Sequence, residues 1–364
     1  MNRMGMSTDI QVTQSFLPKY SVYQRYLKQI WKNHLLTNNG PLVKKLERQL
    51  KKYFRVKHCI YVSNGTIALQ LAIRALNLHG EIITTPFTYV ATANSIIWEH
   101  CTPIFVDIET DTLTIDVTKI EPAITQKTCA IMGVHVYGFP CDVTTITKIA
   151  SKYKLKVIYD AAHAFGTIYR NKSLVSYGNV STLSFHATKL FHTAEGGAII
   201  TNNDKLAKKI MLYRAFGHIY DEYYTFGING KNSELHAAMG LSIFPSLPMI
   251  LKRLKQISKL YDSYLEATSL KLLHCDDHTE INYSYYPIVF PKNSLLLRVM
   301  ATLKENNICP RRYFYPSLNT LPFLHPNDCP QSESIASRIL CLPLYVKLSN
   351  SSATRIASIV RSCL

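Results

Sequence analysis

The chain predicts an α/β fold: a large, mostly parallel mixed sheet flanked by helices, followed by a smaller C-terminal α/β domain. Three observations carry that prediction. Short apolar runs of strand length alternate with helical patterns across residues 58–201, the alternation that builds parallel sheets covered on both faces. After Asn203 the rhythm changes, and the pair Pro245 and Pro248 interrupts the chain before a basic helical stretch at 249–265. A length of 364 residues, 47% of them hydrophobic and 18% charged, suits two packed domains, placed at 1–240 and 241–364.

Each element follows from its local pattern. Residues 18–36 and 41–55 carry apolar positions at helical spacing. They are split by Thr37-Asn38-Asn39-Gly40-Pro41, with proline opening the second helix. Residues 58–62 read as a strand running into Ser63-Asn64-Gly65-Thr66 and a nearly all-apolar helix at 67–76. Strands follow at 81–85, 103–106 and 130–135, with helices ending near 98 and covering 143–153. The stretch KVIYDAAHAFG (156–166) places Asp160 just past an apolar strand at 157–159. The stretch STLSFHATKLFHTAEGGAIIT (181–201) places Lys189 shortly after a strand at 182–185. Beyond it lie a helix at 204–216, an aromatic loop (Tyr220, Tyr223, Tyr224, Phe226) and the turn Gly227-Ile228-Asn229-Gly230. A helix then opens at Ser233 with Glu234 in its first turn, a strand is expected at 285–290, and a final helix at 353–361.

Composition narrows the function classes. Nine cysteines, odd in number and without a C-x-x-C pair, argue for reduced thiols and against a disulfide framework or zinc site. Residues 1–14 lack the apolar core of a secretory leader, and no apolar run approaches the ~18 residues of a membrane span. The expected compartment is the cytoplasm, with no membrane partner. The net charge is +17, and residues 1–60 hold twelve Lys/Arg against two Asp/Glu, an excess of ten. In 41–55 these charges interleave with Leu42, Val43, Leu46, Leu50 and Tyr53, which makes them the solvated face of a helix. No nucleic-acid-binding motif accompanies them, so no nucleic-acid partner is expected. A basic surface does attract anionic metabolites such as nucleotide diphosphates.

Ligands of open α/β sheets sit at the carboxyl ends of the strands, so Asp160 and Lys189 are expected in one site. Strand, small-residue turn and helix at 58–76 are the elements of an anion seat, and equally of an ordinary helix cap. Pyridoxal phosphate asks for a lysine to condense with its aldehyde and an acid to keep its ring nitrogen protonated. It also needs donors for its phosphate and a ring to stack on. Lys189, Asp160, the group Gly65, Thr66 and Ser184, and Tyr89 match these needs, and His163 is placed to reach the phenolic oxygen. Each also has a plain structural reading: a solvated lysine, a turn-capping aspartate, a core tyrosine, hydrogen-bonded core histidines at 163 and 186. Spacing alone leaves pyridoxal phosphate as one reading among several; metal is not expected, since His-x-x-His spacing is absent.

Six ordered motifs add a resemblance. They are Ser63-Asn64-Gly65-Thr66-Ile67-Ala68-Leu69, Pro86-Phe87-Thr88-Tyr89-Val90-Ala91-Thr92, Asp160-Ala161-Ala162-His163, Ser184-Phe185-His186-Ala187-Thr188-Lys189, Glu195-Gly196-Gly197 and Gly227-Ile228-Asn229-Gly230-Lys231. Together, over residues 11–345, the chain resembles the sugar-nucleotide aminotransferases of the DegT/DnrJ/EryC1/StrS family, which have the fold-type I architecture of pyridoxal-phosphate enzymes. The resemblance implies that Lys189 is the lysine joined to the cofactor, that Asp160 faces the pyridine nitrogen, and that His163 stands where many relatives have glutamine. It implies phosphate contacts for Gly65, Thr66 and Ser184 and ring stacking for Tyr89. It also implies that Asn229 reaches the phosphate of a neighbouring subunit, so that a homodimer builds its active sites at the interface. Lys231 and Asn232 depart from the arginine and methionine common in relatives. The run Ser184-Phe185-His186-Ala187-Thr188-Lys189-Leu190-Phe191 is similar to a subgroup acting on C4-keto sugars; a group acting at C3 tends to a tyrosine-proline-glycine version. Arg311, Arg312 and Tyr313 also resemble that subgroup and are substrate-binding candidates, although Arg312 reads equally as a structural residue. The implied reaction moves an amino group from L-glutamate to a dTDP-, GDP- or UDP-linked 4-keto-6-deoxyhexose. A dehydratase on this scaffold would carry histidine in place of Lys189.

Overall fold

The computed structural model describes residues 9–324 and 327–364; residues 1–8, part of the segment read for a leader, lie outside the described residues. Its centre is a seven-stranded sheet: β1 (His58–Val62), β2 (Gly80–Thr84), β3 (Cys101–Phe105), β4 (Thr128–Val134), β5 (Lys156–Asp160), β6 (Val180–Ser184) and β7 (Gly197–Thr201). The strand order is β1-β7-β6-β5-β4-β2-β3. All neighbours pair in parallel except β7, which is antiparallel to both β1 and β6. Strand β7 was not among the expected elements. Its direction follows from its connection: residues 185–196 contain no helix to carry the chain back to the other end of the sheet. They fold instead into a compact turn, with Phe185 N–H donating to Gly196 O (2.7 Å) and Thr193 N–H to Phe185 O (2.9 Å). Lys189 sits in that turn.

Alternation along the strands feeds two cores. On one face Tyr61, Ile131, Tyr159 and Leu183 pack with α2 (Pro41–Phe54), α5 (Val143–Tyr153) and α7 (Glu234–Ile243), whose apolar stripes are buried. On the other, Ile60, Val62, Met132 and Ile158 pack with α3 (Gly65–Ala75), α4 (Ala91–Trp98) and α6 (Asp204–Tyr213). In α2, Leu42, Val43, Leu46 and Leu50 are buried while Lys44, Arg48, Lys51 and Lys52 are exposed, as the solvated-face reading requires. The first helix, α1 (Tyr20–Asn33), stops short of residue 36 because His34 takes a left-handed φ of 52° as its C-cap.

C-terminal residues form α8 (Leu247–Leu265), α9 (Asn293–Glu305), α10 (Pro330–Arg338) and α11 (Asn350–Ser362). They surround a three-stranded antiparallel sheet with Pro287–Val289 between Lys271–Leu272 and Ile339–Cys341. The helix expected at 353–361 thus begins earlier, where the Ser349 side chain caps it. Two buried carboxylates tie distant parts together. Glu234, at the start of α7, accepts the N–H groups of Leu42 and Val43 at 2.8 Å each, capping α2 from outside. Asp107, just after β3, accepts those of Gln331 (2.9 Å) and Ser332 (2.8 Å) and caps α10 likewise. Among the described residues, one helical run passes the length and apolarity of a membrane span, Glu234–Leu265. A 3-10 turn at Phe244–Ser246 divides it, and its apolar positions Leu241, Leu247, Ile250, Leu254 and Ile257 are core residues.

Candidate active site

At the carboxyl ends of the parallel strands lies a cavity of about 400 Å³. Its lining includes Gly65, Thr66, Tyr89, Asp160, His163, Ser184, Lys189, Arg311 and Tyr313. Nine of the eleven residues singled out from sequence therefore meet in one place. Asn229 and Arg312 are not in the lining.

The helix end expected to seat an anion comes from the junction of β1 and α3. Asn64 caps the helix, its Oδ1 accepting from Ile67 N–H at 2.8 Å while its carbonyl takes Ala68 N–H. The N–H groups of Gly65 and Thr66 have no protein acceptor among the described residues. They leave the helix end on the cavity side, with the positive end of the helix dipole behind them. A Cβ on Gly65 would stand 2.9 Å from the Ser184 Cβ. Glycine there lets the helix end approach the end of β6, so that Ser184 joins the same seat.

Asp160 ends β5 and is buried, at 7% exposure. Thr92 Oγ1 donates to its Oδ2 at 2.8 Å, and Ala162 N–H to its Oδ1 at 3.1 Å. Burial pushes this carboxyl up; the two hydrogen bonds and the nearby Lys189 charge oppose that. His163 is equally buried, and Tyr137 N–H donates to its Nδ1 at 3.1 Å. Tyr137 holds a left-handed φ of 53°. With Nδ1 serving as acceptor, the ring proton of neutral His163 resides on Nε2. Burial, reinforced by Lys189, drives its pKa well down and keeps the ring neutral. Phe314 lies parallel to it at 5.6 Å between centroids.

Lys189 is pulled down to about 8 by burial, with Asp160 acting in the opposite sense. Its Nζ donates to Tyr285 Oη at 3.1 Å. Tyr89 is 56% exposed at the cavity, free to stack on a ligand. His186 and Glu195 complete the mouth, with His186 Nε2 3.6 Å from Glu195 Oε1.

The adjacent arginines separate. Arg311 lies over the Tyr313 ring (4.6 Å) at the cavity. Arg312 instead donates from Nη2 to Ser337 O (3.0 Å) and Ala336 O (3.3 Å), the last carbonyls of α10, and stacks at 3.4 Å over Tyr315. Of its two sequence readings, these contacts match the structural one. Asn229 lies on an exposed loop, its backbone bridged to Ala215. Sequence reasoning missed Tyr285 and Thr92 as site members. Thr92 stood within a quoted motif, whereas Tyr285, 96 residues from Lys189, carried no local signal.

The site therefore combines a helix N-terminus with free N–H groups, a buried carboxylate, a neutral histidine donor, an open ring face and an amine of lowered pKa. Comparison with known proteins places it. Residues 21–361 match the profile of the DegT/DnrJ/EryC1/StrS aminotransferase family. The chain is 42% identical to a dTDP-4-amino-4,6-dideoxy-D-glucose transaminase of Shigella dysenteriae over 98% of this chain and 99% of that one. It is 40% identical to the protein of the same name from Escherichia coli, over 96% and 98%. Among solved structures, DesI, crystallised in the presence of its TDP-sugar product, superposes with a TM-score of 0.93 at 29% identity, covering 100% of this chain and 94% of DesI. The chain belongs to the DegT/DnrJ/EryC1/StrS aminotransferase family.

Proposed function

We propose that this aminotransferase uses pyridoxal phosphate to move the amino group of L-glutamate to C4 of dTDP-4-keto-6-deoxyglucose, giving dTDP-4-amino-4,6-dideoxyglucose. The observation that carries the substrate is the full-length identity of 40–42% to transaminases named for that product. The cofactor rests on fit. The free N–H groups beside Gly65 and Ser184 suit a phosphate, and the Lys189 amine of lowered pKa suits an aldehyde. When bound, the cofactor supplies the electron-withdrawing ring and the carbonyl carbon through which amino groups are exchanged.

The chain's own residues do the rest. Gly65, Thr66 and Ser184 hold the phosphate, and Asp160 keeps the ring nitrogen protonated. His163 presents its Nε2–H to the phenolic oxygen, and Tyr89 covers one ring face. Lys189 Nζ takes the proton from the amine-bearing carbon of glutamate and, in the second half-reaction, delivers one at C4 of the sugar. Residues 1–240 bind the cofactor, while 241–364 contribute Arg311 and Tyr313 toward the anionic substrates. The working unit is a homodimer with Asn229 completing the partner's phosphate seat. In support, the segment leading to Asn229 carries Tyr220, Tyr223 and Phe226, which are 90%, 78% and 65% exposed.

The test is incubation with pyridoxal phosphate, L-glutamate and dTDP-, GDP- and UDP-linked 4-keto-6-deoxy sugars, reading product mass and NMR. Amination at C4 of the dTDP sugar is expected. Turnover restricted to GDP- or UDP-linked sugars overturns the substrate. Sedimentation that finds only monomer at micromolar concentration overturns the shared site.

A further inference from the structure

Lys189 Nζ has one hydrogen-bond partner among the described residues, the phenol oxygen of Tyr285 at 3.1 Å. Tyr285 precedes the strand Pro287–Val289, so it brings the C-terminal part of the chain to the lysine. Its ring is held on three sides: tilted against His163 at 4.7 Å, against Tyr137 at 5.5 Å, and edge-on to Tyr313 at 5.8 Å. A phenol fixed in this way has little freedom to follow a moving amine, so the amine must come to it.

We propose that Tyr285 is a positioning residue for Lys189, a fixed docking point for the amine whenever its nitrogen is not bonded to the cofactor. This deepens the proposed function and rests on it for the catalytic stage alone; the contact belongs to the cofactor-free chain. The amine has rotatable bonds along its whole stem and would otherwise sample many positions. Docked on Tyr285 Oη, it stays in the cavity with Asp160 and His163, available to take and return a proton. The contact also bears on its charge. A phenol oxygen accepts from the ammonium form, so its removal leaves a partly buried cation without a hydrogen-bond partner and favours the neutral amine.

The test compares Tyr285→Phe, which keeps the ring, with Tyr285→Leu, which does not. In cofactor-free protein, acylation of Lys189 by acetic anhydride is followed against pH by peptide mass spectrometry. In Tyr285→Phe the midpoint is expected to fall by about one pH unit. With cofactor and substrates, kcat is expected to fall ~10-fold with the KM for the nucleotide sugar unchanged, as for a lost proton-transfer alignment. An unchanged midpoint and kcat in Tyr285→Phe overturn the proposal. So does an effect confined to Tyr285→Leu, which assigns the ring to packing. If the wild type forms no lysine-dependent visible band with pyridoxal phosphate, the functional reading fails, while the acylation midpoint still decides the Tyr285 contact.

Discussion

Thr92 Oγ1 donates its only proton to Asp160 Oδ2 at 2.8 Å, so at 2.9 Å Thr88 Oγ1 must be the donor to Thr92. All three residues are buried. The chain of hydroxyls orients the carboxylate and offsets part of its desolvation. Thr92→Val keeps the shape and removes the donor, raising the Asp160 carboxyl further. An unpaired buried acceptor costs about 1–3 kcal/mol. Pyridoxal phosphate affinity, measured by equilibrium dialysis at neutral pH, is expected to drop roughly 10-fold or more. Thr92→Ser should restore most of it.

Lys189→Ala removes the amine of lowered pKa and leaves the anion seat and Asp160 in place. The variant should still bind pyridoxal phosphate, but reversibly, so that dialysis removes it, and it should show no visible band that depends on the lysine. Turnover should fall by roughly 10²–10⁴-fold or more, as general acid–base loss requires. Wild-type turnover in this variant would remove Lys189 from the reaction.

Acid stability should carry the signature of His135. This ring is fully buried, stacked at 4.5 Å on Tyr159, and its Nδ1 accepts from Cys141 N–H at 3.1 Å. Burial lowers its pKa to about 3. The unfolded chain protonates this histidine near pH 6.5, whereas the folded chain does so only near 3. Stability is thus full above about 6.5 and is lost between those values, at about 1.4 kcal/mol per pH unit. His163 acts in the same direction. Urea denaturation from pH 4 to 7 should show an acid limb shallower by about one proton in His135→Phe. An equal slope would show that His135 does not titrate on unfolding.

Glu234 receives two backbone N–H groups at the start of α2, and a Cβ on Gly40 would lie 2.5 Å from its carboxyl carbon. Glu234→Gln can satisfy one N–H but turns an amide toward the other. A loss of about 2–3 kcal/mol is expected by urea denaturation, with bound-cofactor absorbance unchanged in the folded state. Gly40→Ala should destabilise through the same carboxylate.

Several parts of the site were legible because each is local in the chain. The Asn64 cap and the Gly65 approach lie within one strand-to-helix turn. Asp160 and Lys189 follow directly on apolar strands, whose carboxyl ends a parallel sheet gathers on one side. The two-sided burial of β1, β5 and β6 likewise follows from alternation along each strand. Those features depend on a few neighbouring residues, so composition and spacing express them, and the family resemblance of six motifs joined them into one expectation.

Other features arise only when distant segments meet. Arg311 and Arg312 are chemically identical neighbours, and nothing local says which faces the cavity. The backbone bridge between Arg311 and Cys341 fixes Arg311 at the cavity, and its neighbour Arg312 points the other way, to the carbonyl end of α10. The antiparallel direction of β7 was decided by a compact turn with no helix in it. Tyr285 reaches Lys189 across 96 positions of sequence, through packing against His163 and Tyr137. Sequence by itself determined the fold class, the strand-to-helix turn at Gly65 and the placement of Asp160 and Lys189 at the strand ends. Tertiary structure decided which arginine serves the cavity and what holds the lysine, because register and ring packing are properties of paired segments and not of either segment alone.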